Sequence, residues 1–259
     1  CLYCYLPLLE GQTDFHPACS RKIFGTATAP ILPYTEEQMN DLVLQVVKTQ
    51  MTVTGVQPKL SLEINDENKA GPKRFIIVGL WGGYILKPPT HNYPHLPEVE
   101  DLTMHLAAIA NINTVPHSLI RLQTGSLAYI TKRIDRNKKN KLHMEDMCQL
   151  TEKLTEDKYH GSYEQVAKAI LKYSVNPVLD TINFFEQVLF SFLTGNADMH
   201  LKNFSMFLSE TGWVLSPFYD LLNVKMILPK DKEDMALLLG GKKENFNKGD
   251  FDLLGTVLS

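Results

Sequence analysis

The sequence has few cysteines, no excess of basic charge, no long apolar run and no glycine-rich phosphate signature. Each shortage removes a class of function. Four cysteines in 259 residues, with no secretory leader visible, do not make the disulfide framework of a small secreted domain. Lysine and arginine total 26 against 29 acidic residues, a net charge of −3. The strongly basic surface of a dedicated nucleic-acid binder is therefore missing. No apolar stretch reaches the ~20 residues of a membrane span; the longest, near 182–194, is interrupted by Glu186 and Gln187. No G-x-G-x-x-G string occurs. The remainder is ordinary, with 44% hydrophobic and 21% charged residues, enough for one large domain or two lobes. The expectation is a protein with no membrane association.

Three of the four cysteines fall in the first 19 residues. "CLYCYLPLLEGQTDFHPACSRKIFG" reads C-x2-C, eleven residues, then H-x2-C. Cys1, Cys4, His16 and Cys19 could close a tetrahedral Zn2+ site, because each short spacing holds two ligands together. The plain alternative is a set of small buried residues in a short loop. Residues 1–30 form a candidate zinc knuckle of their own.

Next, "YTEEQMNDLVLQVVKTQ" predicts a helix, with Thr35 and Gln38 as a capping box. Met39, Leu42, Val43, Val46 and Val47 make its buried stripe. Thr52, Val53 and Thr54 predict a strand end, Gly55 a turn and "LSLEI" a strand. "RFIIVGL", "WGGYILKPPT" and "SLAYITKRI" are further strand candidates, and "PEVEDLTMHLAAIAN" is a helix between them. "DRNKKNKLH" reads as a polar loop. From about residue 143 the pattern is mostly helical: "MEDMCQLTEKL", "YEQVAKAILKYS" and "TINFFEQVLFSFLTG". The expected fold class is α+β, with a small β-rich N-lobe over residues 31–135 and a larger helical C-lobe over 136–259.

The chemistry concentrates in "GNADMHLKNFS", residues 195–205, and "SPFYDLL", residues 216–222. Asp198 and Asp220 are carboxylates, Asn203 offers a neutral oxygen and Lys202 a cation. Carboxylate plus amide oxygen is the hard-donor set that suits Mg2+. A second carboxylate can take a proton from an attacking hydroxyl, and a lysine can neutralise a transferred phosphoryl group. Protein kinases divide the work this way: a catalytic aspartate, an asparagine five residues later and a metal-binding aspartate beyond a hairpin. "FSMFLSETGWVL" supplies the hairpin, with its turn at Glu210–Gly212. Upstream, "GGYILKPP" sets Lys87 at a strand end, where a kinase keeps the lysine that pairs with phosphates. Glu98 and Glu100 lie in the helix that should face it. "TVTGVQPK" offers Gly55 for close backbone approach and Lys59 as a cation.

The strings "TGVQPKLSL", "YILKPP", "LPEVEDLTM", "KRIDR", "EDMCQL", "GNADMHLKNFS" and "SPFYDLL" stand in the order seen in HipA-type serine/threonine kinases, the toxins of bacterial toxin–antitoxin modules. The sequence resembles that family from about residue 50 to 225. The resemblance implies a two-lobed protein-kinase-like fold, a cytoplasmic location and use of ATP and Mg2+. It implies Asp198 as catalytic base, with His200 and Lys202 inside the same motif, His200 structural and Lys202 near the γ-phosphate. Asn203 and Asp220 become the Mg2+ ligands. Lys87 pairs with the phosphates and Glu100 with Lys87. Thr54, Gly55, Val56, Gln57 and Lys59 belong to the phosphate-covering loop, Lys132 and Ile134 meet adenine, and Gln149 lies near the active site.

The stretch before the phosphate loop is shorter than in the longer members, so the chain is more similar to the HipT branch, in which a separate small protein resembles the missing N-terminal subdomain. Longer members carry an autophosphorylated serine in this loop. Here Thr52 and Thr54 form a pair like the S-x-S of HipT-type proteins and are the expected autophosphorylation sites. The implied partners are a helix-turn-helix antitoxin, DNA only through that antitoxin, and a protein substrate such as an aminoacyl-tRNA synthetase. Two other readings remain open: a pseudokinase-like module that binds antitoxin and DNA without transferring phosphate, and a small-molecule phosphotransferase.

Overall fold

Strand pairing dominates the first half of the chain and helix packing the second. The computed structural model describes residues 1–50, 58–65, 71–79, 81–137 and 140–258. These fall into two compact units, Cys1–Asp101 with Val115–Arg133, and Leu102–Thr114 with Ile134–Ser259. The Cys/His segment belongs to the first unit and residues 102–114 to the second.

The first unit opens with helix α1 (Pro17–Phe24) and helix α2 (Glu36–Gln50). The predicted capping box is present: the Gln38 amide donates to Thr35 Oγ1 at 3.2 Å and the Thr35 amide to Gln38 Oε1 at 2.9 Å. Five strands follow: β1 (Leu60–Asn65), β2 (Arg74–Ile77), β3 (Tyr84–Lys87), β4 (His117–Arg121) and β5 (Leu127–Lys132). They pair antiparallel in the order β2-β1-β3-β5-β4. Helix α3 (Leu96–Ile109) lies between β3 and β4 in sequence and runs across the boundary of the two units.

One sheet face carries Leu60, Leu62, Tyr84, Leu86, Ala128 and Ile130 into a core shared with Phe15, Ile23, Phe24 and Met39. Aromatic edge contacts tie α1 to the sheet. Phe15 meets Phe24 at 5.3 Å, Phe24 meets Phe75 at 5.8 Å, and Phe75 meets Tyr84 at 5.3 Å. Such pairs add a directional preference to the area buried. The Tyr84 hydroxyl also donates to the Ile23 carbonyl at 3.0 Å.

The second unit begins with two short strands, β6 (Arg136–Asn137) and β7 (Asn140–Lys141), inside the segment read as a polar loop. Strand β8 (Met144–Asp146) then runs straight into the single turn of α4 (Met147–Leu150). The longer helix predicted over "MEDMCQLTEKL" is therefore divided. Met144 and Asp146 pair with Phe207 and Ser205 instead, an edge-strand role that local propensity does not reveal. Helices α5 (Tyr163–Tyr173) and α6 (Pro177–Leu193) coincide with the strings read as helical, "YEQVAKAILKYS" and "TINFFEQVLFSFLTG", with α6 starting four residues earlier. The hairpin β9 (Ser205–Ser209) and β10 (Gly212–Leu215) turns through Glu210–Thr211, and β8-β9-β10 form a three-stranded sheet. Helices α7 (Val224–Ile227) and α8 (Lys248–Leu258) complete the unit, with α8 packed on α5 and α6. The sequence reading missed β4, α1, α7 and α8. Tyr163, Phe184 and Phe204 form the centre of this core, with ring separations of 5.2–6.4 Å. No helix among the described residues is long and apolar enough to cross a membrane.

Asp180 joins helix to hairpin. It is buried, and its Oδ2 accepts from Ser174 Oγ at 2.5 Å and from the Leu215 amide at 2.8 Å. Asp180→Ala strands a buried amide at the end of β10. Thermal or urea denaturation should show a loss of roughly 1–3 kcal/mol, the usual penalty for such a group.

Candidate active site

In the first unit the candidate residues are set by strand register. Side chains alternate along β3, so Tyr84 and Leu86 enter the core while Lys87 lies on the other face. Lys87 stands directly opposite Tyr129 on β5, and its Nζ sits 5.4 Å from the Tyr129 ring centroid. The first turns of α3 cover this face, and Glu100 Oε1 pairs with Lys87 Nζ. The two side chains are 4% and 1% exposed, so the ion pair is buried. Glu98, the other carboxylate on this turn, faces outward near His95 at 3.5 Å. Lys59 is exposed just before β1, and Lys132 is exposed at the end of β5. Ile134 is half-buried. Thr52, Thr54, Gly55, Val56 and Gln57 lie outside the described residues.

In the second unit the site depends on how α6 stops. The Gly195 amide donates to the Phe192 carbonyl at 3.1 Å and the Asn196 amide to the Ser191 carbonyl at 2.8 Å. This paired 5→2 and 6→1 closure is a Schellman motif, which requires a left-handed residue. Gly195 has φ +67°, and an added Cβ would lie 2.8 Å from Lys225 Cγ. The chain therefore leaves the helix abruptly, and Asn196 Oδ1 receives the Asp198 amide at 3.3 Å. A single 3-10 turn, Leu201–Asn203, follows. The Tyr163 hydroxyl donates to the Met199 carbonyl at 3.1 Å and the Leu201 amide to the Lys158 carbonyl at 3.1 Å. The loop is thus held in large part through its backbone.

Asp198 is exposed, and its Oδ1 accepts from the Tyr159 hydroxyl at 2.6 Å. Burial raises the Tyr159 hydroxyl well above its ordinary pKa, with the Asp198 hydrogen bond adding to the effect, so it remains a donor. Sequence reasoning missed Tyr159, which lies 39 residues from its partner and in no recognisable motif. His200 is buried beside it, with ring centroids 5.0 Å apart. Burial lowers the His200 pKa to about 4, against the opposing pull of Asp198, so the ring is neutral at pH 7. The Asp220 charge also acts on this ring.

Asn203 is 4% exposed, and its Oδ1 has no hydrogen-bond partner among the described residues. A buried amide oxygen left unpaired costs free energy, and a hard cation would satisfy it. Tyr219 links the segment that carries Asp220 to this loop. Its hydroxyl donates to the Lys202 carbonyl at 3.0 Å and meets Ser205 Oγ, so the residue before Asp220 is tied to the residue before Asn203. Asp220 itself has φ +58°, a left-handed conformation that Asp tolerates better than most residues. The donor set of one carboxylate and one unpaired amide oxygen fits Mg2+.

Lys202 and Gln149 meet through Asp146. Lys202 Nζ pairs with Asp146 Oδ2 at 2.6 Å. Asp146 caps α4, and Gln149 returns its side chain to the Asp146 amide at 2.9 Å while its own amide donates to Asp146 Oδ1 at 3.0 Å. The Gln149 side chain is thereby used in a capping box.

Two consequences are measurable. Lys87→Met leaves Glu100 as a buried charge without its cation and should cost about 3–5 kcal/mol. Lys87→Met with Glu100→Leu should recover most of that loss in a urea double-mutant cycle. His200 takes up a proton when the chain unfolds below pH ~6.5 but resists it when folded until about pH 4. Stability in the absence of nucleotide should therefore fall as pH drops through this window, by up to about 3 kcal/mol. His200→Gln should flatten that acid limb.

Residues 51–256 match the family described as the HipA-like C-terminal domain. A putative kinase of Haemophilus influenzae is 31% identical over 209 residues, covering 75% of this chain and 59% of the relative. The serine/threonine-protein kinase toxin HipA of Shewanella oneidensis is 30% identical over 200 residues, covering 69% of this chain and 44% of its own length. The chain spans about half the length of the curated relatives it matches. Among solved structures, Shewanella oneidensis HipA, in a complex with HipB and operator DNA, aligns with TM-score 0.66 and 23% identity, covering 98% of this chain and 69% of that one. The Helicobacter pylori proinflammatory kinase CtkA aligns with TM-score 0.53 and 14% identity, covering 76% of this chain and 80% of that one. The structural likenesses carry the kinase-like fold, and the sequence match assigns the chain to the family of HipA-like C-terminal domains.

Proposed function

We propose that the chain is the catalytic part of an ATP- and Mg2+-dependent serine/threonine protein kinase, acting as the toxin of a type II toxin–antitoxin system and arresting growth. The observation that carries this reading is the unpaired, buried Asn203 Oδ1, five residues after an exposed Asp198, with the carbonyl of the preceding Lys202 accepting from Tyr219, the neighbour of Asp220. A structural loop end has no use for an unsatisfied buried oxygen; a metal-binding loop does.

In this reading Asn203 and Asp220 hold Mg2+, which neutralises phosphate charge when bound. Asp198 receives the proton of a substrate hydroxyl as its oxygen bonds to the γ-phosphorus and the bond to the departing ADP oxygen breaks. Tyr159 keeps one oxygen of Asp198 occupied, and the other has no hydrogen bond among the described residues. Lys87, fixed by Glu100, pairs with the α- and β-phosphates. The relatives support a protein hydroxyl as acceptor, and family resemblance points to an aminoacyl-tRNA synthetase. The HipA–HipB likeness supports a helix-turn-helix antitoxin as partner, with DNA reached through it. Thr52 and Thr54 are the proposed sites of self-modification. A phosphate there adds close to two negative charges beside the triphosphate and lowers activity.

The test uses radiolabelled transfer, calorimetry and peptide mass analysis on the same preparations. Asp198→Asn should lower transfer by about 10²–10⁴-fold, the share of a general base, with Mg-ATP affinity retained. Asp220→Ala should weaken Mg-ATP binding more than Asp198→Asn does. Phosphate should appear on the peptide spanning 51–59 in the parent protein and not in Asp198→Asn. Undiminished transfer by Asp198→Asn would defeat the assignment.

A further inference from the structure

The Cys/His segment lies outside the proposed chemistry, and its geometry asks for a separate explanation. A turn closed by the Tyr5 amide on the Cys1 carbonyl at 2.9 Å brings Cys1 and Cys4 together. Tyr5 has φ +61°, a strained conformation for a bulky residue, and strain of this kind persists where something else determines the backbone. The second pair comes from a helix start. His16 is the N-cap of α1 and Cys19 lies in its first turn, so one turn of helix sets both on one side.

The four ligand atoms all lie within 4.8 Å of one another. His16 Nδ1 is 3.3 Å from Cys4 Sγ and 3.7 Å from Cys19 Sγ. A tetrahedral Zn2+ with bonds of ~2.3 Å to sulfur and ~2.0–2.1 Å to nitrogen separates such a pair by about 3.6 Å. The tautomer is also suitable. His16 Nε2 lies 2.8 Å from the Pro7 carbonyl, which can only accept, so that nitrogen carries the proton and Nδ1 presents its lone pair to the sulfurs. The His16 amide points to Cys1 Sγ at 3.5 Å, the kind of amide contact that accompanies a bound thiolate.

We propose that Cys1, Cys4, His16 and Cys19 bind one structural zinc ion, and that this knuckle braces the helix that carries Glu100. Binding releases the three thiol protons to solvent and leaves a closed Cys3His site with no open position for catalysis. Two connections run from the knuckle into the first unit. The Tyr5 hydroxyl, on the residue after Cys4, donates to Asp101 Oδ2 at 2.7 Å, and His117 Nδ1 lies 2.7 Å from the other Asp101 oxygen. Asp101 follows Glu100 on α3. The Leu2 carbonyl, inside the knuckle, accepts from Ser118 Oγ at 2.9 Å, beside His117 on β4. Asp14, just before His16, meets Arg121 at the far end of β4 at 2.9 Å. The metal holds the turn, the turn holds Tyr5, and Tyr5 holds the start of α3 at the height where Glu100 meets Lys87.

The full chain is purified reduced, without a metal-affinity column, and analysed by mass spectrometry for metal. About one zinc per chain is expected. Cys4→Ser with Cys19→Ser should lose it. Because that variant can fail to fold, cobalt substituted into the parent protein gives a second reading, the intense visible bands of a tetrahedral thiolate complex. Removing zinc with a thiol-blocking reagent and chelator should speed hydrogen exchange of the amides at 96–101 by about ten-fold. Tyr5→Phe should keep the zinc and still speed exchange there. Zinc below a tenth per chain in the parent, or full zinc in the double serine variant, overturns the site. Unchanged exchange at 96–101 after zinc loss overturns the bracing role. None of these readings depends on phosphate transfer.

Discussion

A lysine whose side chain is 4% exposed must be given an anion, and most of the first unit follows from meeting that demand at Lys87. An unpaired ammonium would lose its proton or destabilise the fold, so burial and pairing have to arise together. The register of β3 against β5 sets Lys87 across from Tyr129, whose ring offers a favourable face to the cation. The same alternation sends Tyr84 and Leu86 to the opposite face, where they join α1 and the aromatic contacts around Phe75. Helix α3 then has to present Glu100 at one height. Asp101, bonded to Tyr5 and His117, fixes that height from the next residue along.

The second unit meets a different demand, that of holding a polar loop. Backbone groups carry the fixation: the Schellman closure at Gly195, the Met199 carbonyl under Tyr163 and the Leu201 amide on Lys158. The side chains then divide by burial. Asp198 is exposed and oriented by Tyr159, His200 is buried and neutral, and Asn203 is buried with an oxygen to spare. Lys202 pairs with Asp146, the cap of α4. In this arrangement the lysine links the loop to α4 and helps hold it.

Local order carried much of the architecture into the sequence. Periodicity marked α2, α5 and α6, alternation and turn residues marked β1, β3, β5 and the β9–β10 hairpin, and the spacing of Asp198, Asn203 and Asp220 marked the site. Those signals are legible because each depends on neighbours within one element. β4 was missed because "HSLIR" is short and has no alternating pattern of its own, its strand state coming from pairing with β5. "MEDMCQL" read as one helix because its first three residues are strand only through β9.

By itself the sequence determined which residue types were on hand: two aspartates and an asparagine at kinase-like spacing, a strand-end lysine, and three cysteines and a histidine in two short pairs. Spacing left Glu98 and Glu100 both open and the family resemblance pointed to Glu100, but tertiary structure alone supplied the helix rotation that brings Glu100 to Lys87. It alone placed Tyr159 on Asp198 and gave the Gln149 side chain to the helix cap. It alone brought the pair at Cys1 and Cys4 to the pair at His16 and Cys19. The physical reason is common to all four. Burial and hydrogen bonding act between atoms close in space, and a linear spacing states distance along the chain only.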